Sequence, residues 1–400
     1  MVSRGATLTL GVWGAVALAM VAEVAVAGPI VAPVAGPFAG PFERQLRQAE
    51  ARLRAMSGRP EAVAPLSVVA GLAEDLPPRM IEDALRPIVA GDPLVAAQAA
   101  QMLARLEEQR GDAAGAERRR AALGLFRHFW VVGPFGDGRA SFSQPFPPEL
   151  ETGAPDVARR FPGKEREVAW RRGDDAVRAG ALLLDGLLRP DTQAVAYVVA
   201  FVRSDAVRDA ALRLGSAGPI KVWVNGTPVF SRDVVRAPAM DQDAAAIRLE
   251  RGWNRVLIKT VITDGPWRIY ARVTDPRGRP LAVSNDHLPS GEAPVAVAAA
   301  PNRPPAVASL ETLLRARARA AAKGAAGAGA WLDLGRYLAW SGVTDRQARE
   351  EVAALEESVK RRPGVDALVL LADVAREDDE RRQALERLLA LVEKDNSVDA

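Results

Sequence analysis

The segment from residue 126 to residue 286 most constrains the fold, because its hydrophobic pattern alternates with a period of two and no helical segment interrupts it. Gly, Pro, Asp and Asn turns separate short strand candidates such as AYVVAFVRS, IKVWVNGTPVF and NRVLIKTVIT. Successive strands without intervening helices pair antiparallel, since parallel pairing needs a long crossover. The segment is therefore predicted to form an antiparallel β-sandwich of the jelly-roll type, with AYVVAFVRS central and Lys259 facing outward.

Helical spacing predicts α-helical regions on both sides of this sandwich. In residues 43–125, FERQLRQAEARLRAM has one apolar face, and Asp92 followed by proline opens a pair of helices. In residues 309–400, the apolar positions of residues 331–338 recur 37 residues later, which is typical of helix-turn-helix repeats. The predicted fold class is multidomain α+β, with an antiparallel jelly-roll β-sandwich between two α-helical repeat regions.

Residues 1–27 have the pattern of an export signal. Arg4 precedes the apolar stretch ATLTLGVWGAVALAMVA, and the small residues AVA end at Ala27, so cleavage is predicted between Ala27 and Gly28. The alternative is an uncleaved membrane anchor, since the stretch approaches the about 20 residues that span a bilayer. Cleavage predicts a periplasmic or extracellular protein, which is associated with a membrane only if the signal stays uncleaved.

Two segments rich in Pro and Ala read as linkers, namely residues 28–42 and 287–308. They complete the predicted boundaries, with the signal at 1–27, the first helical region at 43–125, the sandwich at 126–286 and the second helical region at 309–400.

The charge pattern argues against nucleic acid as a partner. The chain has 53 Lys and Arg residues against 50 Asp and Glu residues, and the basic residues are interleaved with acidic ones rather than clustered. No nucleic-acid binding is therefore predicted.

The residues that usually carry catalysis are scarce. The chain has no cysteine and only two histidines, His128 and His287, which are distant in sequence. Acids such as Asp137, Asp174 and Asp175 lack the regular spacing of a calcium loop, and no nucleophile elbow, zinc-protease helix or P-loop occurs. We therefore predict no enzyme, catalytic residue, cofactor or metal, although paired carboxylates for glycoside hydrolysis are not excluded by sequence.

The sandwich segment resembles the galactose-binding-like jelly roll in KVWVNGTPVF, LERGWNRVLIKT and WRIYARVTDPRGRPL. In that family these segments form a tight hairpin, the turn before a long inner strand, and the next strand. The spacing of Trp331 to Leu334 and Gly335 resembles tetratricopeptide repeats, with the usual tyrosine displaced to Tyr337. FWVVGPFGDG and FPPELE resemble a subgroup that precedes or lies between tetratricopeptide-type repeats. In such proteins a transglutaminase-like cysteine-peptidase domain often follows, so the resemblance implies the N-terminal part of such an architecture or a relative without the catalytic part.

Tryptophans beside turns are the candidate ligand contacts of the sandwich. Asn225 and the following glycine form the strongest hairpin signal, because a type I′ turn needs positive φ at both positions. A structural corner is the favoured interpretation, and stacking of a sugar ring on Trp223 is the alternative. Asn225 also begins a glycosylation acceptor. Trp253 sits in a comparable turn and Trp267 opens a strand, so the glycan candidates are Trp223, Asn225, Trp253 and Trp267.

The first functional hypothesis is an exported, non-catalytic scaffold that binds a protein or peptide partner through its helical repeats. Tyr337 and Trp340 are the aromatic candidates for that contact, whereas Trp331 is assigned to the repeat core. The alternatives are carbohydrate binding by the sandwich, and an accessory N-terminal part of a transglutaminase-like peptidase system.

Overall fold

A computed structural model describes residues 40–295 and 304–398, with side chains to residue 394. The predicted cleavage site at Ala27 and Gly28 lies outside the described residues. Within them, no helix combines the length and apolar character that a membrane span requires. The helices are α1 Pro41–Ala55, α2 Val63–Gly71, α3 Pro78–Leu85, α4 Pro93–Gln109, α5 Ala113–Ala122, α6 Leu310–Ala320, α7 Ala325–Ser341, α8 Glu350–Arg361, α9 Val365–Val374 and α10 Asp378–Val398.

The middle of the chain is built of antiparallel strands. A seven-stranded sheet has the order β10-β9-β12-β7-β1-β4, with β14 also paired to β7, and a five-stranded sheet has the order β11-β8-β13-β6-β5. The strands are β1 Trp130–Phe135, β2 Phe161–Pro162, β3 Glu167–Val168, β4 Arg171–Arg172, β5 Val177–Arg178, β6 Ala181–Leu183, β7 Ala194–Ser204, β8 Arg208–Ser216, β9 Ile220–Val224, β10 Thr227–Arg232, β11 Asp243–Leu249, β12 Gly252–Ile262, β13 Arg268–Thr274 and β14 Ser284–Asp286.

The two sheets enclose an apolar core, to which β7 and β12 contribute alternate residues such as Val198 and Ile258. β7 is paired on both sides and nearly all of its residues are buried, as its continuous apolar run predicts. The predicted class, α+β with an antiparallel sandwich between helical regions, is confirmed.

The outer faces of both sheets are covered as well. Ala97 and Ala100 of α4 pack with Tyr270 of the five-stranded sheet. The segment around Phe142 and Phe161 packs on the seven-stranded sheet. Lys259 does point to this outer face, as its strand position predicts, but the covering segment buries it fully. Strand periodicity assigns Lys259 to the outer face, but it does not show that another segment covers that face.

The helices from the two ends of the chain share one hydrophobic core. Leu53 and Leu66 of the first helical region belong to the same buried cluster as Leu314 and Leu334 of the second. In the C-terminal region, successive helices from α7 to α10 contact each other. Gly335 allows the close approach of α7 to α8, because an added Cβ there would lie 2.7 Å from the side chain of Leu355.

Buried charges join the helices to the sandwich. Arg232 of β10 donates to Asp243 at 2.7 Å and to Glu311 of α6 at 3.1 Å. Arg236 pairs with the same Asp243 and donates to the carbonyl oxygen of Val343 at 2.7 Å. The C-terminal helical region is thus anchored on the sandwich by hydrogen-bonded charges rather than only by a linker.

Candidate functional site

The predicted hairpin at Asn225 is present and has a structural role. Asn225 has φ 49° and Gly226 has φ 80°, as a type I′ turn between β9 and β10 requires. The Asn225 side chain accepts a hydrogen bond from the backbone N–H of Arg255 at 2.8 Å and donates one to Asn254 at 2.8 Å. These bonds attach the hairpin to β12 and leave Asn225 little capacity to bind a ligand.

The tryptophans predicted as glycan contacts do not form an exposed platform. Trp267 is 0% exposed between the two sheets, and its indole N–H donates to Thr260 at 3.1 Å. Trp253 is 7% exposed and donates to Glu292. Trp223 is half-buried and packs beside the cluster that contains Trp253. The assignment of Trp267 and Trp253 to a ligand surface is therefore corrected, because the core between the sheets buries Trp267 and the cluster on the outer face buries Trp253.

A charged network fills the outer face of the seven-stranded sheet. The ammonium of Lys259 lies 3.0 Å from Glu149, and Tyr197 donates to the same carboxylate. Burial lowers the pKa of Lys259 against the opposing effect of Glu149, and burial raises the pKa of Tyr197 well above its usual value. Lys259 and Glu149 compensate each other in this network, so these contacts are structural.

A groove between the two helical regions is the best candidate for a binding site. It has a volume of about 430 Å³ and lies between α1, α2, α7 and α9. We call it the helical groove. Its apolar wall consists of Phe42, Val68, Leu72, Trp340, Leu370 and Val374.

The two aromatic residues predicted to contact a partner have different positions at this groove. Trp340 is half-buried and lines the wall, as a contact residue should. Tyr337 is 3% exposed and belongs to the shared helical core. Its ring meets that of Trp340 at 6.3 Å in an edge-to-face arrangement. Tyr337 therefore supports Trp340 from behind, and its assignment as a direct contact is corrected.

Three carboxylates line the helical groove, and they differ in how they are compensated. Asp366 lies 3.4 Å from Arg336 and 3.7 Å from Arg52, whereas Asp75 is exposed to solvent. Asp373 has no hydrogen bond or ion pair with any residue that the structure describes. Burial raises the pKa of Asp373 to about 6, although the charge of Arg381 acts in the opposite direction.

Sequence reasoning missed two residues of this groove. Phe42 falls in the segment assigned to a linker, yet α1 already begins at Pro41, and Phe42 lines the groove beside α2. Asp373 and Asp366 are the two acids of the otherwise apolar helix α9, and this was the only available signal. Phe42 and Asp373 are 331 positions apart, so only the packing of the helices shows that they share a site.

The two histidines meet at one carboxylate. His287 Nε2 lies 2.6 Å from Asp174 Oδ2, and His128 Nδ1 lies 3.4 Å from the same atom. The sequence prediction of no metal site relied on the presence of only two histidines, which are distant along the chain. Because they converge on Asp174, the two histidines and this carboxylate form a group of three side chains that could hold a metal ion.

No family model matches the sequence, and no curated protein matches it significantly. Among solved structures, the chain is similar to a beta-glucosidase from Kluyveromyces marxianus, with 11% identity over 36% of this chain and a TM-score of 0.24. It spans 17% of the length of that enzyme. A family 35 carbohydrate binding module from Clostridium thermocellum has 23% identity over 20% of this chain and 71% of its own, with a TM-score of 0.17. The PA14 domain of the MpAFP antifreeze protein has 11% identity over 40% of this chain and 90% of its own, with a TM-score of 0.24.

Proposed function

We propose that the protein is a non-catalytic binding protein that holds a partner polypeptide in the helical groove. The observation that supports this proposal best is Asp373, a half-buried carboxylate without a hydrogen-bonding partner among the described residues, beside an apolar wall. A partly desolvated anion without a partner costs free energy, which a cation from a ligand would offset. The partner segment is therefore expected to combine a Lys or Arg with an adjacent apolar side chain.

The aromatic residue at the groove fits the same role. Tryptophan is enriched among the residues that contribute most to protein interfaces, because its large ring buries apolar area with little loss of conformational freedom. Trp340 is held by the ring of Tyr337 and presents part of its surface to the groove. In the proposed complex, Trp340 packs against the apolar side chain of the ligand, and Asp373 pairs with its cation.

A peptide-display selection on the full chain tests the proposal. We expect the selected peptides to share a basic residue next to an apolar one. For a selected peptide, Asp373→Asn should weaken binding about tenfold or more, since a hydrogen bond to a charged group contributes roughly 1.5–3 kcal/mol. Calorimetry measures the affinity of the wild type and of each variant.

Asp379→Asn is the matched control, because it removes a carboxylate from exposed α10 outside the groove. It should leave the affinity unchanged. Selected peptides without basic residues, or equal losses for Asp373→Asn and Asp379→Asn, would contradict the proposal. Trp340→Ala should also weaken binding, which separates contact in the groove from long-range charge attraction.

Asp373 also predicts a dependence of stability on pH. Its pKa is raised to about 6 in the folded protein, so folding favours its protonated form, and stability is lost as pH rises from about 4 to about 6. Two pKa units correspond to about 3 kcal/mol, but solvent screening of a half-buried group reduces this to about 1 kcal/mol. Asp373→Asn should thus stabilise the protein at pH 7.5 and have little effect at pH 4, as measured by urea unfolding. A stabilisation that is the same at both pH values would refute this assignment.

The other functional hypotheses stay predictions. Of the three tryptophans predicted as glycan contacts, Trp223 alone keeps appreciable exposed surface. A glycan array with wild type and Trp223→Ala would test carbohydrate binding by the sandwich. The relation of α7–α10 to tetratricopeptide repeats, and a place before a transglutaminase-like peptidase domain, also remain predictions.

A further inference from the structure

Strand register explains why residues so distant in sequence meet at Asp174. β1 and β14 both pair with β7, with Trp130 opposite Val199 and Asp286 opposite Phe201. The residues just before β1 and just after β14 therefore meet at the same edge of β7, the one opposite β12. β4 pairs with β1 so that Arg172 lies opposite Trp130. Continuing that antiparallel register for two residues brings Asp174 beside His128.

Hydrogen bonds hold the backbone of this cluster in place. The Asn285 side chain accepts from the backbone N–H of His128 at 2.9 Å and donates to its carbonyl oxygen at 3.2 Å. It also donates to the carbonyl oxygen of Phe201 on β7 at 3.1 Å. Asn285 is only two residues before His287, so a single side chain positions both histidine-bearing segments.

The three side chains are oriented as well as placed. The second oxygen of Asp174 accepts from the backbone N–H of Phe129 at 3.0 Å, which holds the carboxylate. The ring of His287 contacts those of His128 at 5.2 Å and Trp130 at 5.3 Å, both edge-on. These contacts limit the orientations that the carboxylate and the His287 ring can adopt.

The donor set selects the class of ion. Two imidazole nitrogens and one carboxylate oxygen suit zinc and similar divalent transition metals, whereas calcium and magnesium prefer oxygen ligands alone. The three donor atoms lie within 4.8 Å of one another. Ligands about 2.0–2.2 Å from a tetrahedral ion are roughly 3.3–3.6 Å apart, so binding requires His287 and Asp174 to separate by about 1 Å from their contact at 2.6 Å.

We propose that His128, Asp174 and His287 bind a divalent transition metal ion such as Zn²⁺ and leave a coordination position open to water. Their side chains are 36%, 27% and 14% exposed, so an ion can enter from solvent while the site remains partly shielded. The bound ion would join the end of β14 to the start of β1 and the turn after β4. This site is independent of the helical groove, and either proposal can fail without the other.

Titration of Zn²⁺ into metal-free full-length chain without a histidine tag tests the site. The chain has two histidines and no cysteine, so no other imidazole or thiolate competes for the ion. We expect one ion per chain, and Co²⁺ substituted for zinc should give a visible absorption spectrum of nitrogen and oxygen ligation. Zn²⁺ should also raise the temperature of unfolding. Asp174→Asn and His287→Gln should each weaken binding about tenfold or more.

Asp175→Asn is the matched control, because it removes the same charge from the adjacent, exposed residue of the same turn. It should change the affinity less than about twofold, since surface charges at this range contribute little. The absence of stoichiometric binding would overturn the proposal and leave a hydrogen-bonded His–Asp–His cluster. Equal losses for Asp174→Asn and Asp175→Asn would overturn it too, because they would indicate diffuse attraction of the cation. Circular dichroism of each variant distinguishes loss of the site from loss of the fold, and His128→Gln provides a further ligand variant.

Discussion

Asp243→Asn is expected to lower the free energy of unfolding by about 3–5 kcal/mol, which is the range for breaking a buried ion pair by removing one partner. Asp243 and Arg236 each have side chains that are 1% exposed. Asparagine preserves the shape of the side chain, so the loss comes from charge and hydrogen bonding rather than from a cavity. Arg236 would remain buried without a carboxylate partner, and its acceptors would be the neutral amide oxygen at position 243 and the carbonyl oxygens of Ser216 and Val343.

Urea unfolding followed by circular dichroism measures this effect, and Asp209→Asn provides the matched control. Asp209 lies on β8, the strand paired with β11, but its contact with Arg248 at 3.3 Å is exposed. Exposed ion pairs contribute about 0–1 kcal/mol, so the control should have a small effect. Similar losses for both variants would show that the buried network does not hold the C-terminal helices on the sandwich.

Trp267→Ala is expected to cost about 3–5 kcal/mol, as usual when a large buried aromatic side chain is truncated. Trp267 is 0% exposed and packs in the core between the sheets. Its removal leaves a cavity and deprives Thr260 of the indole N–H that it accepts at 3.1 Å. Thermal and urea unfolding measure the loss, which we expect to be accompanied by weaker near-UV circular dichroism.

Trp223→Ala serves as the comparison for this prediction, since its half-buried ring lies on β9, next to the edge strand β10. It should cost less, roughly 1–2 kcal/mol, because part of the ring is already in contact with water. A Trp267→Ala variant as stable as Trp223→Ala would show that the space between the sheets can be refilled.

Patterns that act over a few residues predicted the elements correctly. The Asn225–Gly226 pair specifies its hairpin because both residues adopt positive φ. Asp92 caps α4 by accepting from the backbone N–H of Leu94 at 3.0 Å, as the Asp-Pro start predicts. The apolar run of β7 correctly indicated a strand buried on both faces. Each of these signals depends on backbone geometry within a few residues of itself.

The sites depend on contacts between distant segments, and local patterns contain no information about them. The alternating pattern assigned Lys259 to an outer face of the sheet, but only the packing of the segment around Phe142 shows that this face is buried. Spacing separated His128 from His287, but strand register along β7 brings both to Asp174. Helical periodicity defined two regions, but their packing on one core creates the groove where Phe42 and Asp373 meet.

The sequence by itself therefore determined the class of fold and the order of its parts. It also excluded chemistry that needs a cysteine thiol, because the chain has no cysteine. Periodicity, turn residues and composition are properties of neighbouring residues or of the whole chain, and they can be read without knowing which segments touch. Only the tertiary structure decided which tryptophans are buried, which carboxylate lacks a partner and which donors converge. Whether a side chain is buried or paired depends on residues that are distant in sequence, and the packing of the helices and sheets sets the positions of those residues.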